Sequence, residues 1–313
     1  MKRLLFVLIV ALAWARAVAQ DDVAFTNYWS FQSFYNPAAA GVDKQLDIKA
    51  AFRIEMMGFE DSGRTFLVQA DAPLWFLSSP RHGGGVGFMN DKIGLFEHKR
   101  FFVHYAYHQR LWGRRLSVGV RAGLLAESFD GTGVDVVETG DPAFPSSEVN
   151  GTAFDLDGGL RYDGKRWYAG FSVAHALAPM VSLGDTKANE FEVPQTFYLT
   201  GGYNIRLRNP LLSMQTSAIV RTDLTAWRGD ATARLCYNGP KGKMYVGVGY
   251  SPTISASVLI GGDFHGVQLG YCYEIYTSGV GALQGTHELS IGYTTDLNLF
   301  KKGKNRHQSV RIL

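Results

Sequence analysis

The chain has 313 residues, 46% of them hydrophobic and 13% aromatic, with 36 glycines, two cysteines and a formal net charge of +3 at pH 7. That net charge says little about partners, but with no basic stripe and no recognisable nucleic-acid module the chain is not expected to bind nucleic acid. Two cysteines allow one disulfide at most, and Cys236 and Cys272 fall in different predicted strands with two others between them, so both are read as free thiols.

The first 19 residues read as a signal peptide. Lys2 and Arg3 precede an apolar run from Leu4 to Ala15, and Ala17-Val18-Ala19 supplies the small-x-small cleavage pattern, making Gln20 the first mature residue. The run is shorter than the roughly 20 residues a spanning helix needs. Export from the cytoplasm is therefore expected.

Residues 20–44 form a separate segment ahead of the first strand. It contains FYNPAAAG (34–41), which reads as one helical turn: Asn36 is a good N-cap, Pro37 suits the first helical position and Gly41 suits a left-handed exit. One turn is not stable alone in water, so it must dock on something larger.

From residue 45 the chain alternates with period two. In QLDIKAAFRIEM, Leu46, Ile48, Ala50, Phe52, Ile54 and Met56 share one face, and Asp47, Lys49, Arg53 and Glu55 lie on the other. RFFVHYAYHQRL (100–111), TAFDLDGGLRYD (152–163) and GVQLGYCYEIY (266–276) repeat the pattern. Runs of this kind predict fourteen strands near 45–56, 64–74, 84–90, 99–111, 115–127, 152–163, 166–175, 194–206, 211–222, 226–237, 243–250, 254–263, 266–276 and 286–297. Every second connection is a tight turn, such as WGR (112–114) and DGK (163–165), whereas the other parity includes the long connections 128–151, 176–193 and 277–285. Strands of about ten residues, with aromatics on the apolar face, suit an all-β transmembrane antiparallel barrel of the outer membrane, over residues 45–300. A closed barrel satisfies every backbone group in lipid, which an open sheet does not.

The polar faces collect charges of both signs: Asp47, Lys49, Arg53, Glu55, Arg100, His104, His108, Arg110, Arg121, Asp155, Asp157, Arg161, Arg206, Arg221, Arg234, Glu274 and Glu288. Their interleaving predicts a lumen of paired charges in water rather than a one-sign selective pore. No catalytic set is visible. His104 and His108 are about 13 Å apart on a strand and cannot share a metal, and no G-x-S-x-G stretch is present. GGGVG (83–87) lacks the Lys-Ser/Thr end of a phosphate loop. The chain is therefore expected to be no enzyme and to carry no cofactor. The basic tail after Phe300, residues 301–313 with KKGKNRH, is read as a solvated end.

The Asn-Pro-Ala-x-x-Gly stretch early in the mature chain resembles the hallmark of the PorP/SprF family, outer-membrane proteins of the type IX secretion and gliding machinery of Bacteroidota. QADAPLW (69–75), GGGVGFMNDKIG (83–94), HYAYHQRL followed by LSVGVRAGL (104–124) and GTHELSIGY (285–293) resemble the family in the same order. The resemblance implies a docking role without chemistry. Implied partners are periplasmic parts of the apparatus, namely the PorK/PorN ring and a PorE-like peptidoglycan-binding protein, and in some members a large surface adhesin. Asn36, Pro37, Ala38 and Gly41 are the docking-motif candidates, in a plug anchored to the barrel wall by Tyr28, Trp29, Phe31, Phe34 and Tyr35. An outer-membrane porin or small-solute transporter is the alternative, which a wide, unplugged lumen would favour.

Overall fold

The computed structural model describes residues 22–59, 61–74, 81–132, 147–184, 189–240, 242–277 and 284–297; the segment expected to be a signal peptide (1–19) and the basic tail (301–313) lie outside them. Sixteen strands occur among the described residues: β1 (Leu46–Ile54), β2 (Arg64–Pro73), β3 (His82–Ile93), β4 (Phe96–Leu111), β5 (Arg114–Asp130), β6 (Glu148–Asp163), β7 (Trp167–Ala174), β8 (Met180–Leu183), β9 (Asn189–Glu192), β10 (Thr196–Arg206), β11 (Leu212–Thr222), β12 (Trp227–Gly239), β13 (Gly242–Ser251), β14 (Ser255–Phe264), β15 (Val267–Tyr276) and β16 (Thr286–Thr295). All but β8 and β9 form one closed antiparallel barrel, and they are the fourteen runs that alternation predicts. β1 pairs with β16 from Leu46↔Thr295 to Ile54↔His287, so no edge is left open.

Alternation sorts the side chains. Phe101, Val103, Val120, Leu124, Leu199, Val248, Ile260 and Leu289 all point outward and are more than half exposed, while Arg100, His104, Arg121, Asp155, Asp157 and Glu288 are buried in the lumen. An apolar exterior of this extent around a closed barrel is what lipid covers. Two charges expected inside are not there: Arg110 and Arg206 are exposed, since each sits where its strand runs out into a turn.

The two ends of the barrel differ. One end has short turns, including Trp112-Gly113 (φ +49° and +72°) and His265-Gly266 (φ +56° and +87°), the two-residue geometry that matches strand twist. The other end carries the long connections. Residues 176–193, read from sequence as an irregular loop, contain the β8–β9 hairpin, paired from Met180↔Glu192 to Leu183↔Asn189. Each strand has four residues, too few for alternation to register. Val181, Leu183 and Val193 pack on Leu125 and Phe129 of β5, which turns the hairpin inward over the lumen.

Candidate functional site

The remaining described segment, residues 22–45, threads the lumen. It contains a helical turn, α1 (Gln32–Tyr35), followed at once by a 3₁₀ turn, η1 (Pro37–Ala39). Val23, Phe25, Tyr28, Phe31, Phe34 and Tyr35 form the buried apolar core of the molecule, with Ala51, Leu67, Met89, Phe102, Ala174, Tyr198 and Ile219 of the wall. The core of this barrel is thus its N-terminal segment, and the rings interlock: Phe25 meets Phe34 edge-on at 5.6 Å, Tyr35 meets Tyr198 at 5.4 Å and Trp29 meets Tyr245 at 5.2 Å.

At the 36–41 turn the local chemistry is simple. Asn36 Oδ1 accepts from the Ala38 amide at 2.9 Å, capping η1, while Asn36 Nδ2 donates to the Leu160 carbonyl of β6 at 2.9 Å. One side chain therefore both caps the turn and fastens it to the wall. The alanines allow backbone to approach backbone. A Cβ on Gly119 of β5, an inward position, would overlap the Pro37–Ala38 backbone, and at Gly41 (φ +67°) a Cβ would come within 2.7 Å of Gly83 Cα. His108 meets the Ala40 carbonyl at 3.0 Å.

The lumen charges mostly face this segment. Glu288 accepts from the Thr26 and Asn27 amides at 2.6 and 2.9 Å, and Arg53, which donates to Thr26 Oγ1 at 3.0 Å, also pairs with Glu274 at 3.0 Å. Arg121 donates to the Phe34 carbonyl at 2.7 Å and to that of Ser33, pairs with Asp157 at 2.9 Å and stacks over Phe102 at 4.5 Å. Arg115 donates to the Val42 carbonyl at 2.7 Å, Lys49 to that of Ser30 at 3.0 Å, and Ser172 to that of Tyr35 at 2.6 Å. The expected paired charges exist, but buried arginines and glutamates satisfy the backbone of a short irregular segment where water was anticipated.

Near the long-connection end, Asp22 accepts from the Tyr198 hydroxyl and lies 3.8 Å from His175, which pairs with Asp155 at 3.1 Å. Burial alone would lower the His175 imidazole, but the neighbouring Asp155 and Asp22 carboxylates push it up to about 9. Burial would likewise raise the Asp22 carboxyl, yet His175 holds it well below the usual range. Burial pushes the Tyr28 hydroxyl up to about 12, so it stays protonated and donates to the Ser217 carbonyl at 2.7 Å.

Asn36, Pro37, Ala38 and Gly41 thus come together on β3, β5 and β6, and Tyr28, Trp29, Phe34 and Tyr35 spread over different parts of the wall. Sequence reading missed Phe25, Thr26, Asn27 and Ser33. It also missed the wall glycines, although Gly119 occupies an inward slot between inward Ser117 and Arg121, a legible sign of close approach. Cys236 and Cys272 are both free and buried.

A closed barrel with a lipid-facing exterior and a filled polar lumen defines an integral outer-membrane protein. The chain belongs to the family described as "Type IX secretion system membrane protein PorP/SprF", which it matches over residues 17–293, a span that takes in the lumenal segment and nearly all of the barrel. No curated protein matches the chain. Among solved structures it is similar to the Acinetobacter baumannii outer membrane protein Omp33 (9% identity, 80% of this chain and 98% of that one, TM-score 0.46). It is also similar to the toluene transporters TbuX of Ralstonia pickettii (12%, 84% and 92%, 0.49) and TodX of Pseudomonas putida (10%, 88% and 95%, 0.48). Similarity at this level gives no information on function.

Proposed function

We propose that the protein is a non-enzymatic docking component of type IX secretion or gliding, in which residues 20–44 act as a fixed plug. The plug would close the barrel and shape a docking surface for the PorK/PorN ring, a PorE-like peptidoglycan-binding protein, or a large surface adhesin. The observation that carries the reading is the filling of the lumen. Its inward charges bond the plug backbone, and the β8–β9 hairpin folds over the long-connection end, which favours docking over conduction.

The test replaces Asn36 and Pro37 together by Ala. A barrel that remains heat-modifiable on a gel should lose export and should no longer co-purify type IX components. Normal export from a correctly folded variant, or a wild-type protein that purifies alone and conducts ions in a planar bilayer, would sink the proposal.

A further inference from the structure

A cavity of about 500 Å³ lies inside the barrel between the plug and the wall that runs from β11 through β16 to β1 and β2, and Asn238, Lys243 and Asp263 line it toward the short-turn end. It is far larger than one water needs. Its lining includes Arg234 of β12, which is only 6% exposed. The Arg234 guanidinium lies 3.5 Å from the Trp29 ring centroid, with Tyr245 edge-on to that ring. Its Nε is buried without an acceptor, and among the described residues no carboxylate pairs with Arg234. Nε is likewise without an acceptor in Arg100, Arg121 and Arg221, but Arg53, Arg100, Arg121, Arg161 and Arg221 each have an acidic partner.

A buried guanidinium without a counter-ion is costly unless something supplies one. Of the acids that line the cavity, Asp43 is exposed, and the buried or half-buried ones are already engaged. Asp47 pairs with Lys49 at 2.6 Å, Asp71 with His104 at 2.5 Å, and Asp263 accepts from the Gly266 amide at 3.1 Å. Acceptors are unused as well: Gln69 Oε1 and Asp47 Oδ1, on residues lining the same cavity, are buried without partners. A free inorganic anion would answer only the guanidinium. A peptide carrying a carboxylate would answer both, placing its anion on Arg234 and its amides toward the acceptors.

We propose that this cavity binds the carboxylate of an acidic peptide segment entering from the short-turn end, the periplasmic side in outer-membrane barrels. The inference deepens the docking reading and rests on it for the nature of the partner. The Trp29 ring packs against the guanidinium, and Lys243 at the mouth provides a further cation to attract the approaching anion.

The experiment uses detergent-purified protein and a fluorescein-labelled peptide, Gly-Ser-Gly-Asp, with anisotropy as the readout. The amidated Asn analogue and inorganic phosphate serve as competitors, and Arg234→Met and Arg234→Lys as variants. Saturable binding is expected, weakened at least tenfold in Arg234→Met, retained in part by Arg234→Lys, and not displaced by the neutral analogue or by equimolar phosphate. Four results would each overturn the inference: no binding, equal binding by Arg234→Met, equal competition by the neutral analogue, or displacement by equimolar phosphate. Should Arg234→Met fail to assemble, the neutral analogue on the wild-type protein still decides. Co-purification of type IX components by a protein that binds no peptide would overturn this site and leave the docking reading standing.

Discussion

Arg121 bears the middle of the plug, so replacing it by Met should loosen residues 22–44 while the barrel stays closed. Its two Nη groups reach the Phe34 and Ser33 carbonyls, and hydrogen bonds from a charged donor contribute about 1.5–3 kcal/mol each. Their summed loss is about 3–6 kcal/mol. Met recovers apolar contact in the space beside Phe34 and Phe102 that the guanidinium occupies, and Asp157 is not orphaned because Arg100 still pairs with it at 2.6 Å. A net cost of about 3 kcal/mol is therefore expected, which raises the open fraction of the plug roughly 100-fold at 1.4 kcal/mol per decade. Hydrogen exchange read by mass spectrometry on the detergent-solubilised protein measures this directly. Plug amides, such as Asn36 N bonded to the Gln32 carbonyl, should exchange about 100-fold faster, while peptides from β12–β15 should not change. Unchanged plug exchange would refute the reasoning, and so would equal loosening of plug and strands, because either result means that the plug is not held as an independent unit.

The Asp22–His175 contact should be pH-sensitive. The His175 pKa is raised from 6.5 to about 9, so its contribution is fully present below about pH 6.5, falls as pH rises and is gone above about pH 9. The low Asp22 pKa works in the opposite sense, contributing above pH 3.8 and losing that contribution as pH falls below it. Protease cleavage near residue 22 should therefore increase between pH 6.5 and 9 in the wild type but not in His175→Asn, which tolerates the φ of +52° at that position. Gly119→Val would drive a side chain into the Pro37–Ala38 backbone, an overpacking cost of about 1–3 kcal/mol. It should displace the turn, seen as faster exchange at residues 36–41, with heat-modifiability retained. Unaltered exchange there would show that the close approach is not structural.

The barrel was legible because its physics is local. Period-two alternation in β1, β4 and β15 puts Phe52, Tyr105 and Tyr271 outside and Arg53, His104 and Cys272 inside, whatever the rest of the chain does. The turn at 36–41 was legible for the same reason, since cap, proline and glycine each impose a backbone preference. The partners of that turn were not. Asn36 reaches Leu160 across more than a hundred residues, and Glu288 reaches Thr26 across the whole barrel; no short-range pattern encodes such pairs. The β8–β9 hairpin was missed because four-residue strands fall below the length at which alternation differs from chance.

The plug also accounts for the mixed charges inside. A conducting lumen has no reason to bury Arg53, Arg121 and Glu288, since their charge would act on permeating solute only if water reached them. An irregular segment threaded through a barrel, by contrast, brings carbonyls and amides that no sheet neighbour can satisfy, each costly if left unpaired away from water. Long cationic side chains meet its carbonyls and carboxylates meet its amides, as at Ser30, Phe34, Val42, Thr26 and Asn27. These charges therefore have to be of both signs and interleaved, and Arg234 stands out because, unlike Arg53, Arg100, Arg121, Arg161 and Arg221, it has no acidic partner among the described residues. If charge in this lumen is there to satisfy the plug, an arginine left over beside an open cavity requires a different acceptor, one that arrives from outside the chain.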